Sequence, residues 1–225
     1  MSNNRIKKTR VKVCGLTLPE QAAAIADLGV DAIGVILHAD SPREITLEQA
    51  RLIRRAVPPF TLLVGVFVDA SAAYINDAVK TVGLNLVQLH GAESPELASQ
   101  VIVPTIKAIR ARSQADITLT IANHPKASAY LLDPYHANKH GGTGQRLDAS
   151  LWPNSQMNVN QLPLILAGGL SPSNLSDALE TFQPYAVDLN SGVEESPGVK
   201  NVSKVASAIQ VVHDFDKRHS KSTVS

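Results

Sequence analysis

The hydrophobic positions of the chain fall into short apolar segments that alternate with segments of helical periodicity. Eight of the apolar segments have the length and β-branched content of buried strands: 11–14, 32–37, 61–68, 86–89, 105–109, 130–133, 164–167 and 186–189. Strands that alternate with helices predict a parallel sheet, and eight such units predict a (β/α)8 TIM barrel, an α/β fold. The structural alternative is an open doubly wound sheet, but the first strand–helix turn lacks a G-x-G-x-x-G pattern.

Local signals mark where several helices begin and end. Thr46 with Gln49 resembles a capping box, in which each residue bonds the backbone N–H of the other. Ser71 is expected to begin the third helix and Gly83 to end it. Thr17 is expected to cap the first helix, which contains a proline in its first turn.

Two joints between a helix and a strand have similar sequences. Residues 28–33 read Leu-Gly-Val-Asp-Ala-Ile, and residues 82–87 read Val-Gly-Leu-Asn-Leu-Val. Each joint contains a helix end, a glycine, an acidic or amide residue and the start of a strand. The recurrence favours repeated βα units within one domain over separate domains.

Composition indicates one globular domain with no electrostatic preference for a polyanion. The 225 residues are 44% hydrophobic and 18% charged, with a formal net charge of +1. We therefore expect a single domain over 1–225 with polar tails at 1–10 and about 216–225, and no nucleic-acid or membrane partner. The single cysteine excludes an internal disulfide, and no segment resembles a membrane span or signal peptide, so we expect a cytoplasmic protein.

The carboxyl ends of parallel strands converge at one mouth of a barrel, where ligands bind. Cys14, the only cysteine, ends the first strand. Its two interpretations are a small buried hydrophobe and a reactive thiol. The residues expected at the same mouth are Arg43, Asp69, His90, Arg110, Asp133 and two glycine-containing turns, Gly168-Gly169 and Ser191-Gly192.

The two glycine-containing turns follow the last two strands. Barrels commonly build a phosphate site at these positions from backbone N–H groups, and glycine lets the backbone approach the anion. Gly168, Gly169, Ser191 and Gly192 are therefore candidate phosphate ligands. The alternative is that they are ordinary turn residues.

The other polar residues at the mouth each have a functional and a structural interpretation. Arg43 is either a bidentate clamp for a substrate carboxylate or a solvated cation. His90 either lines the site or forms a hydrogen bond at a strand end. Asp133 is a catalytic acid or a turn residue before the long loop 134–146, which would act as a lid. His136 and His140 have no visible third ligand, so we expect no metal site.

These segments together resemble the phosphoribosylanthranilate isomerase family over nearly the whole chain. The matching segments are short, but their combined order is specific: 12–17 (Lys-Val-Cys-Gly-Leu-Thr), 31–34, 41–43 (Ser-Pro-Arg), 64–68, 87–91 (Val-Gln-Leu-His-Gly), 131–133 (Leu-Leu-Asp), 141–144 (Gly-Gly-Thr-Gly), 166–170 (Leu-Ala-Gly-Gly-Leu), 187–188 and 191–194 (Ser-Gly-Val-Glu).

The resemblance implies residue roles and a reaction. It makes Cys14 the general base, Asp133 the general acid and Arg43 the ligand of the anthranilate end. The implied reaction is the Amadori rearrangement of N-(5-phosphoribosyl)anthranilate to 1-(2-carboxyphenylamino)-1-deoxyribulose 5-phosphate, in tryptophan biosynthesis. It implies a phosphorylated small-molecule substrate, no cofactor and a monomer or homodimer.

Some positions depart from the family pattern. Gln145-Arg146 replaces Lys-Thr after the Gly-Gly-Thr-Gly segment, residues 37–40 are less aromatic and basic, and Asn190 stands where serine is common. These changes concern loop closure and affinity. The rival functions are another phosphosugar isomerase or epimerase barrel, and a barrel that binds a phosphorylated metabolite without catalysis.

Overall fold

The structure, a computed structural model, describes residues 8–134, 147–153 and 162–221. Eight parallel strands form a closed barrel in which each strand pairs with the next and the last pairs with the first. The strands are β1 (Arg10–Val13), β2 (Ala32–His38), β3 (Leu62–Phe67), β4 (Leu86–Leu89), β5 (Thr105–Ala111), β6 (Ala129–Pro134), β7 (Leu164–Leu166) and β8 (Ala186–Leu189). The predicted (β/α)8 barrel is therefore confirmed.

Helices follow the strands on the outside of the barrel. They are α1 (Pro19–Asp27), α2 (Leu47–Ala56), α3 (Ala72–Val82), α4 (Leu97–Gln100), α5 (Gln114–Asn123), α6 (Leu175–Phe182) and α7 (Val202–Lys221). Two 3-10 turns follow β6 and β8, at Ala149–Leu151 and Ser191–Val193. A small antiparallel hairpin, β9 (Glu194–Ser196) and β10 (Val199–Lys200), was not expected from the sequence.

Alternate residues of each strand face the barrel interior, as strand geometry requires. Small and branched residues fill its lower part, among them Ala32, Val64, Leu131 and Ile165. A separate upper cluster contains Cys14 with Ile36 and Val66. The opposite faces of the strands pack against the helices in the main hydrophobic core. The interior is thus packed, and the site can form only above it, at the strand ends.

The repeated joint has one structural function at both positions. The Asp31 carboxylate accepts a hydrogen bond from the N–H of Val11, and the Asn85 carbonyl oxygen accepts one from the N–H of Leu63, each at 2.8 Å. Each side chain therefore fixes its own strand to the beginning of a strand in an earlier unit. The repeat proposed from the sequence is confirmed as a βα repeat.

Most of the predicted helix signals are present. The capping box of Thr46 and Gln49 forms, Ser71 accepts the bond that begins α3, and Gly83 ends that helix with φ of 78°. The expected cap at Thr17 is wrong. Leu18, which has no side-chain acceptor, holds the cap position, and the Thr17 hydroxyl donates instead to the carbonyl of Gly198.

Some residues of the two expected polar tails belong to regular elements. Arg10 begins β1, and α7 continues to Lys221, within the range 216–225. The Asp216 carboxylate accepts bonds from the N–H and hydroxyl of Thr9, at 2.9 and 2.7 Å. The last helix therefore holds the chain just before β1, and this contact orders residues that polarity alone assigned to tails.

Some sequence predictions fall outside the described residues. They are the lid proposed for loop 134–146 apart from Pro134, the residues His136 and His140, the Gly141–Gly144 segment and Gln145-Arg146. In the part of the chain that the structure describes, no helix combines the length and the apolar composition needed to cross a membrane.

Candidate active site

A pocket opens at the carboxyl end of the barrel. The structure brings together most of the residues that the sequence placed there: Cys14, Arg43, His90, Asp133, Gly168, Gly169 and Ser191 all line it. They come from loops or ends of six strands, so the closed barrel is what gathers them. The other lining residues include Gln88, Asp188 and Asn190.

Cys14 occupies the position directly after β1 and faces the interior. Its N–H donates to the carbonyl of Leu189 at 2.8 Å, which continues the β1–β8 ladder by one residue. The following Gly15 has φ of 76°, and this turn leads the chain away from the barrel toward α1. The Cys14 side chain is buried, with 4% of its surface exposed, at the floor of the pocket.

A buried ion pair lies beneath Cys14. Lys12 Nζ bonds both carboxylate oxygens of Asp188, at 2.9 and 3.0 Å. Both side chains are almost fully buried, and the two residues are register partners in β1 and β8. Burial is the largest single effect and lowers the pKa of Lys12, but the charges and hydrogen bonds of Asp188 and Cys14 together leave that pKa raised. Lys12 is therefore a cation beside the thiol.

Two opposing effects act on the Cys14 thiol. Burial raises its pKa, and the positive charges of Lys12 and Lys200 lower it. Burial prevails, so the pKa of Cys14 lies above its ordinary value. The two lysines make the rise smaller than burial alone would give.

Asp133 ends β6 and faces His90 across the pocket. His90 Nε2 lies 3.4 Å from a carboxylate oxygen of Asp133, and His90 Nδ1 lies 2.8 Å from the amide nitrogen of Gln88. The Gln88 side chain therefore holds one ring nitrogen of His90 and leaves the other, Nε2, facing Asp133. Gln88 thus sets the orientation of the group that faces the carboxylate.

Arg43 is fixed by a carboxylate of the chain itself. Its Nε and Nη2 donate to the two oxygens of Glu194 at 2.8 and 2.6 Å. Lys200 Nζ donates to Glu194 at 2.7 Å and to the Asn190 side chain at 2.8 Å. Burial opposes ionisation of Glu194, but the bonds and charges of Arg43 and Lys200 hold its pKa down to about 2. The solvated interpretation of Arg43 is wrong, since Arg43 is buried and paired.

The turn after β7 has the backbone geometry expected of an anion site. Gly168 and Gly169 have φ of 91° and 58°, and their main-chain N–H groups have no acceptor among the described residues. The Asn174 side chain holds the turn: it donates to the carbonyl of Gly169 and accepts from the N–H of Ser171. The 3-10 turn that begins at Ser191 borders the same pocket.

Three residues expected at the mouth do not line this pocket. Asp69 accepts a bond from the N–H of Ala92 and orders the loop after β4. Arg110 is in register with Asp133 but borders a separate depression. A side chain at Gly192 would meet the carbonyl of Leu170, so that glycine is required for close packing of the two turns.

Sequence reasoning did not assign roles to Lys12, Asp188, Gln88, Glu194 and Lys200. A signal existed for the first two: each is a single charge within an otherwise apolar strand, and buried charges of opposite sign are almost always paired. No comparable signal marks the partner of Arg43, because that contact depends on a hairpin that the pattern did not predict.

Comparisons with known proteins agree with one another. The family model described as "N-(5'phosphoribosyl)anthranilate (PRA) isomerase" matches residues 11–211. An N-(5'-phosphoribosyl)anthranilate isomerase of Pseudomonas fluorescens (strain SBW25) is 42% identical over 205 residues, which are 91% of this chain and 96% of that protein.

Solved structures give the same result. A phosphoribosyl anthranilate isomerase from Thermus thermophilus is 36% identical with a TM-score of 0.81, covering 92% of this chain and 100% of its own. A phosphoribosyl anthranilate isomerase in complex with reduced 1-(o-carboxyphenylamino)-1-deoxyribulose 5-phosphate is 33% identical with a TM-score of 0.79, covering 92% and 99%.

Proposed function

Since this chain belongs to the N-(5'-phosphoribosyl)anthranilate isomerase family, we propose that Cys14 is the general base and Asp133 the general acid of the isomerisation. The chain is an isomerase of tryptophan biosynthesis. The observation that carries the residue assignment is that both side chains, on strands separated by β7 and β8, face one pocket at the barrel mouth.

The reaction is an Amadori rearrangement, and it requires two proton transfers. An acid protonates the ribose ring oxygen, and the ring opens to an iminium ion. A base then removes the proton from C2, and the electrons of that C–H bond move to the iminium to give an enolamine. The enolamine tautomerises to the ketone. Asp133 is placed for the first transfer and Cys14 for the second, with one proton lost by the carboxyl and one gained by the sulfur.

Asp133 is supported as the acid by its partner. His90 Nε2 lies 3.4 Å from one carboxylate oxygen of Asp133, so the imidazole borders the acid on one side and leaves its other oxygen facing elsewhere. His90 also lines the pocket and is proposed to contact the substrate. Most of the Asp133 side chain is buried, so that bulk water does not compete for the proton.

Arg43 is proposed to bind the anthranilate carboxylate. A guanidinium has five N–H donors, and only the Nε and Nη2 groups face Glu194. The ion pair with Glu194 therefore fixes the plane of the guanidinium while other donors remain for the substrate. A pre-oriented arginine loses little side-chain entropy when the carboxylate binds.

The phosphate is proposed to bind between the turns after β7 and β8. Gly168 and Gly169 offer main-chain N–H groups, Ser191 offers its own N–H, and Gly192 permits the two turns to approach. Neutral donors fixed by the fold bind a phosphate without a buried cation. The known complex with a reduced phosphorylated product analogue was formed by a related enzyme of this family.

The decisive experiment follows the loss of anthranilate-type fluorescence from freshly made substrate. The wild-type protein is expected to turn over, and Cys14→Ser and Asp133→Asn should each lose roughly 10² to 10⁴ in kcat. Both variants should still bind the reduced product analogue, because neither supplies the main anion contacts. Turnover within about threefold of wild type in either variant would show that its role is assigned wrongly.

Two further properties are proposed from the sequence. We place the enzyme in the cytoplasm, because its one cysteine is suited to a reducing compartment. We propose a monomer or a homodimer, and sedimentation equilibrium of the purified chain decides between them.

A further inference from the structure

Lys12 lies in β1 and Cys14 directly follows that strand, two residues further along the chain. Successive side chains of a strand point to opposite sides, so residues two apart share a side, and here it is the barrel interior. Lys12 faces Asp188 of β8 directly beneath the thiol. The charge of Lys12 therefore lies at a fixed height in the barrel, one layer below the sulfur.

Gly34 on β2 makes room for this arrangement. A Cβ placed on Gly34 would lie 2.7 Å from Cys14 Sγ and 3.1 Å from Lys12 Cε. Two atoms that both lie so close to one point are separated by less than about 6 Å, the range over which a charge shifts a neighbouring pKa. Because Gly34 has no side chain, Cys14 Sγ and Lys12 Cε, the carbon that carries the ammonium group, lie close together.

We propose that Lys12, held by Asp188, is a positioning residue that stabilises the thiolate form of Cys14. This inference rests on the proposed role of Cys14 as the base. Asp188 has two effects: it fixes the ammonium beneath the sulfur, and its negative charge favours the protonated form of Lys12. When the thiolate takes the C2 proton, an S–H bond forms and Lys12 keeps its own proton.

Several charged groups besides Lys12 act on the Cys14 thiol or lie near it. Lys200 of β10 acts on Cys14 with the same sign as Lys12, and Asp188 acts with the opposite sign. The Arg43 guanidinium is close enough for a thiolate to raise its pKa. Across the pocket the titratable groups are His90 and Asp133. Lys12 and Asp188 act on the sulfur with opposite signs from adjacent strands, so variants of these two residues provide the test.

The test uses the thiol itself and needs no substrate. Because Cys14 is the chain's only cysteine, the pH dependence of alkylation by iodoacetamide reports its pKa alone. Lys12→Met is expected to move that pKa upward by about one unit or more, a roughly tenfold slower alkylation at neutral pH. Lys12→Arg should restore most of the difference. Asp188→Asn should shift the pKa less than Lys12→Met does, because it removes a negative charge near the sulfur and also the carboxylate that favours protonated Lys12.

The difference in size between these two shifts separates this proposal from a purely structural role. If the pair only held β1 to β8, Lys12→Met and Asp188→Asn would weaken folding alike and leave the alkylation profile unmoved, and that result overturns the proposal. Removing one partner of a buried pair leaves an uncompensated charge, so Lys12→Met/Asp188→Asn is the second variant. In this double variant the pKa of Cys14 should shift upward by less than in Lys12→Met. The absence of any shift would contradict the proposal.

Activity gives an independent check. In Lys12→Met, kcat should fall at neutral pH and recover as the pH rises through the raised pKa of the thiol. A loss that is equal at all pH values contradicts thiolate stabilisation. A wrong assignment of Cys14 as the base can be told apart from a wrong role for Lys12. In the first case Cys14→Ser would still turn over substrate, whatever the alkylation profiles show.

Discussion

Arg43 and Glu194 form a two-point ion pair that joins the loop after β2 to the hairpin after β8. The paired residues are 151 positions apart in the sequence, and both side chains are buried. Lys200 and Asn190 extend the contact, so one carboxylate organises the rim of the pocket on this side. Because Glu194 holds these groups together, both substrate binding and stability at acid pH should depend on it.

Glu194→Gln should weaken substrate binding more than it slows the chemical step. A neutral amide cannot hold the guanidinium at two points with the same strength, so Arg43 loses its fixed plane. We expect KM to rise about tenfold, the loss of one charge-assisted bond to a charged group, with kcat little changed. The matched control is Glu195→Gln, whose carboxylate lies on the same hairpin and bonds Asn201. Equal KM values in the two variants would contradict the role of Glu194.

The same carboxylate makes stability depend on acid pH. Its pKa in the folded protein is about 2, compared with an ordinary 4.5. A lowered pKa stabilises the fold fully above the ordinary value, and the contribution is lost as the pH falls from about 4.5 toward 2. We expect the difference in free energy of unfolding between wild type and Glu194→Gln, measured in urea, to be constant at neutral pH and to shrink across that interval. A difference that grows on acidification would be inconsistent with this linkage.

Gly169→Ala tests the phosphate turn. At φ of 58° an alanine costs about 1–2 kcal/mol in backbone strain, whatever it contacts. Gly29→Ala is the matched control, because Gly29 has φ of 86° and a Cβ there meets nothing within 4 Å. Both should lose similar stability. Only Gly169→Ala should weaken binding of the phosphorylated analogue, by about tenfold, relative to its dephosphorylated form.

If Gly169→Ala weakens the binding of both forms of the analogue equally, the turn shapes the pocket but does not bind phosphate. Isothermal titration with the two forms distinguishes these results without any measurement of turnover.

Gly34→Ala should displace the sulfur of Cys14. The added Cβ would lie 2.7 Å from Sγ, closer than the two atoms can approach. A displacement of about 1 Å in a reacting group costs on the order of a hundredfold in rate. Gly65→Ala on β3 is the control, since its Cβ would meet Leu84 and Phe67 in the outer core. It should lose stability and keep kcat. Comparable kcat values in the two variants would mean that the sulfur position is not critical.

The fold could be predicted from the sequence because the signals for its strands and helices are local. Apolar segments, capping residues and the repeated Asp31 and Asn85 joints each act within one βα unit or between adjacent ones. The exceptions show the same rule. Thr17 was misassigned because its partner, Gly198, lies at the far end of the chain, and the length of α7 depends on a contact between Asp216 and Thr9.

The residues of the site could be predicted from the sequence only in part. Strand-end position placed Cys14, His90 and Asp133 correctly at the mouth, because a barrel converts that sequence feature directly into location. Whether Arg43 is solvated or paired depends on Glu194, which no periodicity places beside it. The balance between burial and charge at the Cys14 thiol depends on its distances to Lys12, Lys200 and Asp188, so the sequence could not give it.

The pairing of Lys12 with Asp188 also has a consequence for assembly. These residues belong to the first and last strands of the barrel, and their contact exists only when the ring is complete. A chain that has folded seven units but has not joined its ends contains the cysteine without the ammonium–carboxylate pair fixed beneath it. Since Lys12 is proposed to act on the thiol, the reactivity of Cys14 should report whether β1 and β8 are joined.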